Sequence, residues 1–508
     1  MWTHRLVIKD AARQLIGRVA SALLGFLVIK IMSPYLGPLR YGDYSTILKY
    51  FAIWSALADF WLYVIAVRKL WVTKELEEAG KIIKGSLQKE YGAFVGTRVV
   101  TMTIVYTVAL ILAYLLPAYT SNPYLVRWLP FGMAFSAMFM WSWITQLPLQ
   151  LFWKMEQLSI GLIAARVGQL WVLAAVVYRW FRTIEFDWWA RSVLAFCLIM
   201  GSVVVSSLIQ RIYVQRKANK LLGFSIIIDR SFIKKVYLSN RQYGIAYYLS
   251  SFHTLIVLIL LSNFFPTADG NIYTGVWALA LSLIEILLII PSSLGNSLLH
   301  KVAWYTHSNM RKSFGSFLSL IYWIGLLAFV NFLVFAEPII HLVWGAEFIG
   351  TWLSNPWANT VLPFLAFVLL LSFIKQVYNY LFVAIEKNND IFWVNLIGVI
   401  VGLWIGIYAI PRYALLGGIV TQVSLEVMYV LGALFIARYH KTQPFVHRGK
   451  LSLVTLILGV LWSWAYLIFA HMDIGIIELF VYGAGLNLVL IGSTIWISKH
   501  FARGLTME

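Results

Sequence analysis

Charged residues are scarce in this sequence. Only 12% of its 508 residues are Asp, Glu, Lys or Arg, whereas soluble globular domains carry about 25%. Apolar residues make up 61% of the chain, and its mean hydropathy is +0.80. This composition excludes a soluble globular domain and indicates a polytopic, all-α membrane protein.

Cysteine and acidic residues are also few. The single cysteine, Cys197, lies in an apolar run, so no intrachain disulfide can form, and we interpret it as a small core residue. The 21 acidic residues are outnumbered by 40 Lys and Arg, which gives a net charge of +19. These basic residues lie in short loops between apolar runs and not on one face of a soluble domain. We therefore interpret them as topology determinants and expect no nucleic-acid partner.

Motifs for ATP hydrolysis and for metal binding are missing. The sequence has no Walker A loop, no His-Glu-x-x-His and no Cys-x-x-Cys pair. We therefore expect a protein that is not an enzyme, with no cofactor, no metal ion and no catalytic residue. Energy for transport would have to come from an ion gradient or from the substrate gradient itself. The first apolar run has no small-residue cleavage site, so we expect its helix to be retained.

Long apolar runs are what the sequence has in abundance. A run of about 20 apolar residues is long enough to cross the hydrocarbon core. Fourteen such spans are predicted, near 11–34, 45–66, 91–116, 128–150, 159–181, 190–210, 240–262, 274–297, 313–336, 359–383, 391–410, 414–437, 452–471 and 476–497.

The loops between these spans predict the orientation of the chain. An even number of spans puts both termini on one side, and 27 of the 40 Lys and Arg residues lie on that side, against 6 on the other. The positive-inside rule therefore predicts cytoplasmic termini in the cytoplasmic membrane. The two longest basic loops, Val67–Glu90 and Arg211–Ser239, either lie along the anionic leaflet or act only as topology determinants.

An internal repeat is visible at an offset of 233 residues. Tyr41-Gly-Asp-Tyr44 aligns with Thr274-Gly-Val-Trp277, so that Gly42 matches Gly275. Repeated helix bundles are common in transporters, with the substrate site at their interface. We predict two six-helix lobes, at 1–237 and 238–437, followed by two additional transmembrane helices and a cytoplasmic tail at 438–508.

The first helical hairpin, from Gly17 to Lys69, carries four charges within apolar runs. They are Arg18, Lys30, Lys49 and Asp59. Each such charge costs about 2.5 to 3.5 kcal/mol at the centre of a membrane helix, so these side chains should face something other than lipid. The hairpin therefore predicts a polar cavity within the membrane.

Three motifs resemble one family of transporters. They are Tyr35-Leu-Gly-Pro-Leu-Arg-Tyr-Gly-Asp-Tyr44 with Leu57-Ala-Asp-Phe60, Tyr273-Thr-Gly-Val-Trp-Ala278 through Leu287 to Pro291 and Gly295, and Ala336-Glu-Pro-Ile-Ile-His-Leu-Val-Trp-Gly345. Together they resemble the polysaccharide flippases of the multidrug/oligosaccharidyl-lipid/polysaccharide (MOP) superfamily. Within it, they are more similar to the Wzx-type O-antigen and exopolysaccharide flippases than to the drug exporters.

This resemblance implies a fold, a function and partners. The fold would be two six-helix lobes around a central cavity, with two added C-terminal helices. The function would be to move an undecaprenyl-diphosphate-linked oligosaccharide from the inner to the outer leaflet for cell-surface polysaccharide biosynthesis. The implied partners are this lipid-linked substrate, the membrane lipids, and a polysaccharide polymerase and glycosyltransferases.

Basic residues within the spans are the candidate substrate-binding groups. Arg18, Arg98 and Arg166 each lie seven residues past the cytoplasmic start of their predicted span, about 10 Å deep at the rise of an α-helix. Guanidinium groups suit a diphosphate, although each arginine could instead snorkel to the interface. Lys49 and Lys375 are further substrate-binding candidates. The alternatives are an interface anchor for Lys49, as for Lys30, and a cytoplasmic anchor for Lys375.

Four other intramembrane residues are candidates for ion coupling. Asp59, Glu285 and Glu426 could bind a proton or Na⁺, or could simply pair with the arginines. His253 lies near the middle of span seven and could take part, or could be a satisfied core residue. A cation-coupled multidrug antiporter therefore stays an alternative function. So does a membrane-embedded glycosyltransferase or ligase, although the short outer loops and the lack of paired carboxylates argue against it.

Overall fold

The computed structural model describes residues 2–60, 62–120, 122–179, 188–265, 268–292, 294–295, 307–344, 348–349, 358–385 and 387–442. These ranges contain no strand, and fourteen helices have both ends within them: α1 (Trp2–Asp59), α2 (Leu62–Glu78), α3 (Ser86–Leu115), α4 (Pro117–Thr120), α5 (Pro123–Thr145), α6 (Leu147–Leu151), α7 (Met155–Arg179), α8 (Trp188–Asn219), α9 (Arg230–Ser239), α10 (Arg241–Phe264), α11 (Ala268–Leu287), α12 (His307–Trp344), α13 (Ala358–Ala384) and α14 (Asn388–Tyr439). Eight helices are long and apolar enough to cross a membrane, or nine if a bent pair in α10 counts as one span. The prediction of an all-α polytopic membrane protein is confirmed.

The first helical hairpin is contained within α1. Its two parts meet at Gly37, which has φ 61° and ψ 175°, a conformation that suits glycine because it has no Cβ. Pro38 then begins the second part, the position in a helix where its missing N–H costs least. This break lies between predicted spans one and two, 11–34 and 45–66. The inner end of span two was predicted wrongly, because Phe60 (φ 42°) interrupts the chain before α2 starts at Leu62.

The last described helix, α14, covers two predicted spans. Ala414, with φ 46° and ψ −117°, divides it at the boundary expected between spans eleven and twelve. Each of the first twelve predicted spans overlaps a described helix. The predicted spans 452–471 and 476–497 lie outside the described residues.

Packing divides the helices into two groups that meet at α1. Helices α3, α5, α7 and α8 pack on one another and on α1, while α10 packs on α14 and α13 packs on α11, α12 and α14. The second part of α1 also contacts α10 and α11 from the other group. The division into two six-helix lobes and their superposition stay predictions.

The burial of the large side chains is typical of a helix bundle that is surrounded by lipid. Trp277, Trp344 and Phe51 are completely or almost completely buried between helices. By contrast, Trp171, Trp404 and Phe435 are 75%, 75% and 72% exposed on the outside of their helices. In water such exposure of aromatic groups would be unfavourable, but in a membrane their neighbours are lipid chains.

The loop between α8 and α10 is folded against α3. Its extended part places the Ile227 N–H 3.0 Å from the Gly92 carbonyl oxygen. A Cβ at Gly96 would come within 2.1 Å of the Ile227 carbonyl oxygen, so the approach requires glycine. Asp229 then caps α9, whose Phe232 packs edge-on to Phe94. Whether this basic segment lies along the anionic leaflet stays a prediction.

Candidate functional site

Arg98 forms a buried ion pair with Asp59. Arg98 of α3 is completely buried and Asp59, the last residue of α1, is 1% exposed. One arginine nitrogen bonds to the Asp59 carboxylate, and Nη1 donates to the Ala58 carbonyl oxygen at 3.2 Å. Arg98 is therefore not available to a substrate headgroup in this conformation. A charge of this kind remains buried only with its partner, because its desolvation costs several kcal/mol.

Lys375 is buried as well, in the second group of helices. Its Nζ lies 3.1 Å from Glu426 Oε1 and 3.0 Å from His253 Nδ1. The three residues come from α13, α14 and α10, and His253 and Glu426 have no exposed surface. The cytoplasmic-anchor alternative for Lys375 is wrong, and direct contact with substrate is excluded in this conformation. We call His253, Lys375 and Glu426 the buried triad.

Lys49 pairs with Glu285 across the two groups of helices. Lys49 lies in the second part of α1, and Glu285 lies in α11. Their side chains are 19% and 42% exposed, so this pair is accessible, unlike the two described above. Lys49 is thus paired with a carboxylate, which the interface-anchor alternative did not anticipate. Lys30, for which the same alternative was given, is exposed.

All three intramembrane carboxylates singled out in the sequence thus have basic partners. Asp59, Glu285 and Glu426 contact Arg98, Lys49 and Lys375 respectively. Pairing with a cation was one of the two alternatives left open for them, although two of the three cations turn out to be lysines. Whether any of these carboxylates also couples an ion to transport stays a prediction.

Arg18 lies between the two groups of helices. It is half-buried, and its charge acts on the phenol groups of Tyr63 in α2 and Tyr380 in α13. The hydroxyl of Tyr63 bonds to the Gln150 amide oxygen, and that of Tyr380 donates to the Ser292 carbonyl oxygen at 3.0 Å. Within the part of the chain that the structure describes, Arg18 has no carboxylate partner.

Arg166 is the second of the three candidate arginines that has no carboxylate partner among the described residues. Its Nη1 donates to Gln169 Oε1 at 2.9 Å, and its charge acts on Tyr44. The guanidinium group lies against α1, where a Cβ added at Gly25 would be 3.6 Å from its Cζ. A glycine at this position leaves room for the arginine beside the helix.

The prediction that the arginines share one depth is wrong for Arg18 and Arg166. Gly17 faces Ser159 in the contact between α1 and α7, whereas Gly25 faces Arg166. Arg18 is therefore level with the start of α7, and Arg166 lies about 10 Å further along the helix axis at 1.5 Å per residue. Arg18 and Arg166 are equally far from the starts of their predicted spans, which suggested equal depth. Helices α1 and α7 start at different heights, so equal spacing does not give equal depth.

Several contacts of these arginines were not recognisable in the sequence. Gln169 contacts Arg166, and the charges of Arg18 and Arg166 act on Tyr44, Tyr63 and Tyr380. Aromatic residues make up 16% of the chain, so nothing marked these three tyrosines. Gln169 could have been found, because it lies one helical turn from Arg166. Among the described residues no group of His, Cys, Asp and Glu could hold a metal ion.

Comparisons with known proteins identify the fold. No family model matches the sequence, and no curated protein matches it. Solved structures do match. The lipid II flippase MurJ, in an inward closed conformation, superposes with a TM-score of 0.64 over 97% of this chain and 99% of its own, at 13% identity. This is the MOP transporter fold.

Other transporters with the MOP fold superpose as well. An inward-facing multidrug resistance transporter of the MATE family matches at a TM-score of 0.56 and 13% identity, over 90% of this chain and 98% of its own. A MOP superfamily transporter from Pyrococcus furiosus, described as having a binding pocket of reverse polarity, matches at 0.54 and 12% identity, over 91% and 96%. These likenesses, at 12 to 13% identity, show the fold alone. Membership of the superfamily and of its Wzx-type branch stays a prediction.

Proposed function

We propose that this protein is a flippase for an undecaprenyl-diphosphate-linked oligosaccharide. It would move that lipid from the cytoplasmic to the outer leaflet for cell-surface polysaccharide biosynthesis. The MOP fold supports a transporter, and MurJ, one of the structures that superpose, is a lipid II flippase. The substrate class is inferred from the charges inside the bundle.

One observation carries the choice of an anionic substrate. The three intramembrane carboxylates are each matched by a basic side chain, while Arg18 and Arg166 have no carboxylate partner among the described residues. The interior of the bundle therefore has surplus positive charge. A cationic drug would need a free carboxylate, which disfavours the multidrug antiporter, whereas a diphosphate would be attracted.

The positions of the two arginines suggest the order of contacts. The charge of Arg18 acts on Tyr63 and on Tyr380, which belong to different groups of helices, so a headgroup that entered between the two groups would meet Arg18. Arg166 lies about 10 Å further along the axis at the rise of an α-helix. Planar guanidinium groups can bind phosphate oxygens with two parallel hydrogen bonds. The headgroup would pass from Arg18 to Arg166 as the lobes change conformation.

The proposed substrate implies a place for the protein in the cell. It would act in the cytoplasmic membrane, downstream of glycosyltransferases that assemble the oligosaccharide and upstream of a polymerase that uses it at the outer face. Both termini would be cytoplasmic, as the positive-inside rule predicts. These partners would meet the substrate before and after its transfer.

Transport of a fluorescently labelled lipid-linked oligosaccharide in reconstituted vesicles tests the proposal. Arg18→Gln and Arg166→Gln should each reduce the transport rate, and the double variant should nearly abolish it. Arg18→Lys should retain intermediate activity, because lysine keeps the charge but loses the bidentate geometry. Arg412→Gln is the matched control, since Arg412 is exposed and contacts the carbonyl oxygen and the ring of Tyr408 in its own helix. The amount of folded protein is measured in every case, and wild-type transport by the double variant would overturn the proposal.

A further inference from the structure

A row of aromatic side chains lies along α5. Phe135, Phe139 and Trp143 follow one another at intervals of four residues, and their successive ring centroids are 6.3 and 5.9 Å apart. The row continues onto α2, where the Tyr63 ring lies 5.6 Å from that of Trp143 at an interplanar angle of 69°. Four neighbouring rings thus form a continuous surface from the middle of α5 to its C-terminal end.

The middle of this row is not covered by its neighbouring helix. Phe139 comes about two helical turns after Gly132, so both residues lie on nearly the same face of α5. Gly132 packs closely on α1, since an added Cβ would be 2.3 Å from an Ile47 methyl group. Phe139 is nevertheless 39% exposed. A space therefore opens beside α5, about 10 Å along its axis from the contact with α1.

The end of the row is close to the first of the two arginines proposed to bind the headgroup. The charge of Arg18 acts on the phenol group of Tyr63. The hydroxyl of Tyr63 donates to the Gln150 amide oxygen and also bonds to Gln146. A guanidinium group, an aromatic surface and two amide groups therefore come together at this end of α5.

Four of these residues form one accessible surface, which we call the aromatic wall. It consists of Phe139, Trp143, Tyr63 and Gln150. Phe139 is exposed and the other three are half-buried. The buried triad is closed to a ligand in this conformation, whereas the aromatic wall is open to one.

The aromatic wall has the chemistry that a sugar ring requires. The faces of a pyranose carry C–H groups, which pack on the electron-rich faces of aromatic rings, and its edge carries hydroxyl groups. A glutamine amide can donate a hydrogen bond to such a hydroxyl and can accept one from it. None of the four side chains is charged at neutral pH. The wall therefore suits a neutral glycan and offers no cation to a phosphate.

An isoprenoid chain fits the aromatic wall less well than a sugar does. Such a chain has no hydrogen-bonding group, so it would remove water from Gln150 and from the Tyr63 hydroxyl without replacing it. Covering polar groups in this way is unfavourable. The exposed apolar side chains on the outside of the bundle, such as Trp171 and Trp404, offer an isoprenoid chain an apolar surface without this cost.

We propose that the aromatic wall binds the first sugars of the lipid-linked substrate while Arg18 binds its diphosphate. This inference rests on the proposed function and adds a site of glycan recognition to it. Trp143 contacts Tyr63 and would hold the sugar that is attached to the diphosphate. Phe139, one turn away along α5, would contact the next sugar. The wall would thus favour the lipid that carries a glycan over unloaded undecaprenyl diphosphate.

Labelling of a cysteine at position 139 tests whether the wall faces an aqueous space. In a Cys197→Ser background in nanodiscs, Phe139→Cys should react with a charged methanethiosulfonate reagent, because the reactive thiolate forms in water and not in lipid. Trp171→Cys is the matched control, since Trp171 is 75% exposed on the outside of α7 and should be shielded by lipid. A Phe139→Cys variant that reacts no faster than Trp171→Cys overturns the proposal.

Protection of the same cysteine tests what the wall binds. The probes are undecaprenyl diphosphate and the same lipid carrying glucose, galactose or N-acetylglucosamine. At least one sugar-bearing probe should slow the labelling of Phe139→Cys several-fold more than the unloaded lipid does. Equal protection by all probes would show that the diphosphate or the chain, and not the sugar, occupies the space, and would overturn the sugar site.

Affinities for the same probes separate the aromatic wall from the diphosphate site. Trp143→Ala should weaken binding of the sugar-bearing probe by about tenfold and leave binding of undecaprenyl diphosphate unchanged, which also verifies that the variant is folded. Trp143→Phe should retain most of the affinity, because it keeps an aromatic face. Arg18→Gln should weaken binding of both probes, and Trp171→Ala neither. A Trp143→Ala variant that affects both probes equally, or neither, overturns the proposal.

The failure of this inference can be distinguished from the failure of the proposed function. A wild-type protein that binds no probe would overturn the proposed function and the sugar site with it. A wild-type protein that binds loaded and unloaded lipid equally well, with an effect of Arg18→Gln on both, would overturn the sugar site alone and leave the flippase proposal standing.

Discussion

Gly42 and Gly275, which occupy equivalent positions in the internal repeat, lie in direct contact with each other. A Cβ added to Gly275 would come within 2.2 Å of the Pro38 carbonyl oxygen and 2.9 Å of the Gly42 nitrogen. Equivalent residues of two repeats meet when the axis that relates the repeats passes between them. The second part of α1 and helix α11 therefore cross with their backbones in contact. In a two-lobed arrangement, the axis that relates the two repeats would pass through this crossing.

A methyl group at this crossing should be poorly tolerated. We expect Gly275→Ala to lower the free energy of unfolding by about 1 to 3 kcal/mol, the usual cost of overpacking, because backbone atoms and not a flexible side chain would have to move. Gly201→Ala in α8 is the control, since its Cβ would meet nothing within 4 Å. It should be neutral or stabilising by up to about 1 kcal/mol. Thermal unfolding in detergent measures both, and equal melting temperatures would contradict the close crossing.

Removal of one partner from the buried Asp59–Arg98 pair should destabilise the protein strongly. We expect Asp59→Leu to cost about 3 to 5 kcal/mol, because it leaves an uncompensated guanidinium in a site with no exposed surface. The double variant Asp59→Leu/Arg98→Leu should be more stable than Asp59→Leu alone. A double-mutant cycle on unfolding in detergent gives the coupling energy. Simple additivity of the two single variants would show that the contact carries no energy.

The Lys49–Glu285 pair should respond to reversal of its charges. Lys49→Glu brings two carboxylates together between α1 and α11 and should reduce transport, as should Glu285→Lys. The exchange variant Lys49→Glu/Glu285→Lys should recover much of the activity. We expect a stability change of at most about 1 kcal/mol, because solvent screens a pair that is partly exposed. Transport assays decide the matter, and an exchange variant no better than either single variant would count against a functional contact.

Glu77 should hold the start of α3 in a pH-dependent manner. Its carboxylate accepts the backbone N–H groups of Gly85 and Leu87 at 2.9 and 2.8 Å, and these bonds hold the Glu77 pKa below its usual value. Because the folded pKa is depressed, the stabilisation is present above the unfolded pKa and is lost as the pH falls through the folded pKa. We expect Glu77→Gln to speed hydrogen exchange at residues 85–87 at neutral pH.

The matched control for Glu77 is its neighbour Glu78. Glu78 is 66% exposed and lies 3.7 Å from Lys74, in a contact between residues four apart on the same helix. Glu78→Gln should leave exchange at residues 85–87 unchanged. In wild type, the protection of these amides, corrected for intrinsic exchange, should decrease in acid, and a pH-independent protection would refute the role of the carboxylate.

The sequence by itself determined the class of this protein and the order of its helices. Long apolar runs with few charges can be stable only as membrane helices, because the backbone must satisfy its own hydrogen bonds in lipid. The turn at Gly37 and the break at Ala414 also fell at predicted boundaries, since local backbone geometry depends on adjacent residues. The same reasoning selected the charged residues inside the spans, because each is too costly to face lipid.

Only the tertiary structure decided which of these charges meet. Asp59 and Arg98 are 39 positions apart, Lys375 and Glu426 are 51 apart, and Lys49 and Glu285 are 236 apart. The periodicity of the sequence does not predict contacts between residues so far apart. Such pairing depends on how the helices cross and on their relative heights in the membrane. The same two factors placed Arg166 deeper than Arg18 and buried Arg98. Sequence therefore identified the ionisable groups, and the packing of α1 against α3, α7 and α11 determined which remain available to a substrate.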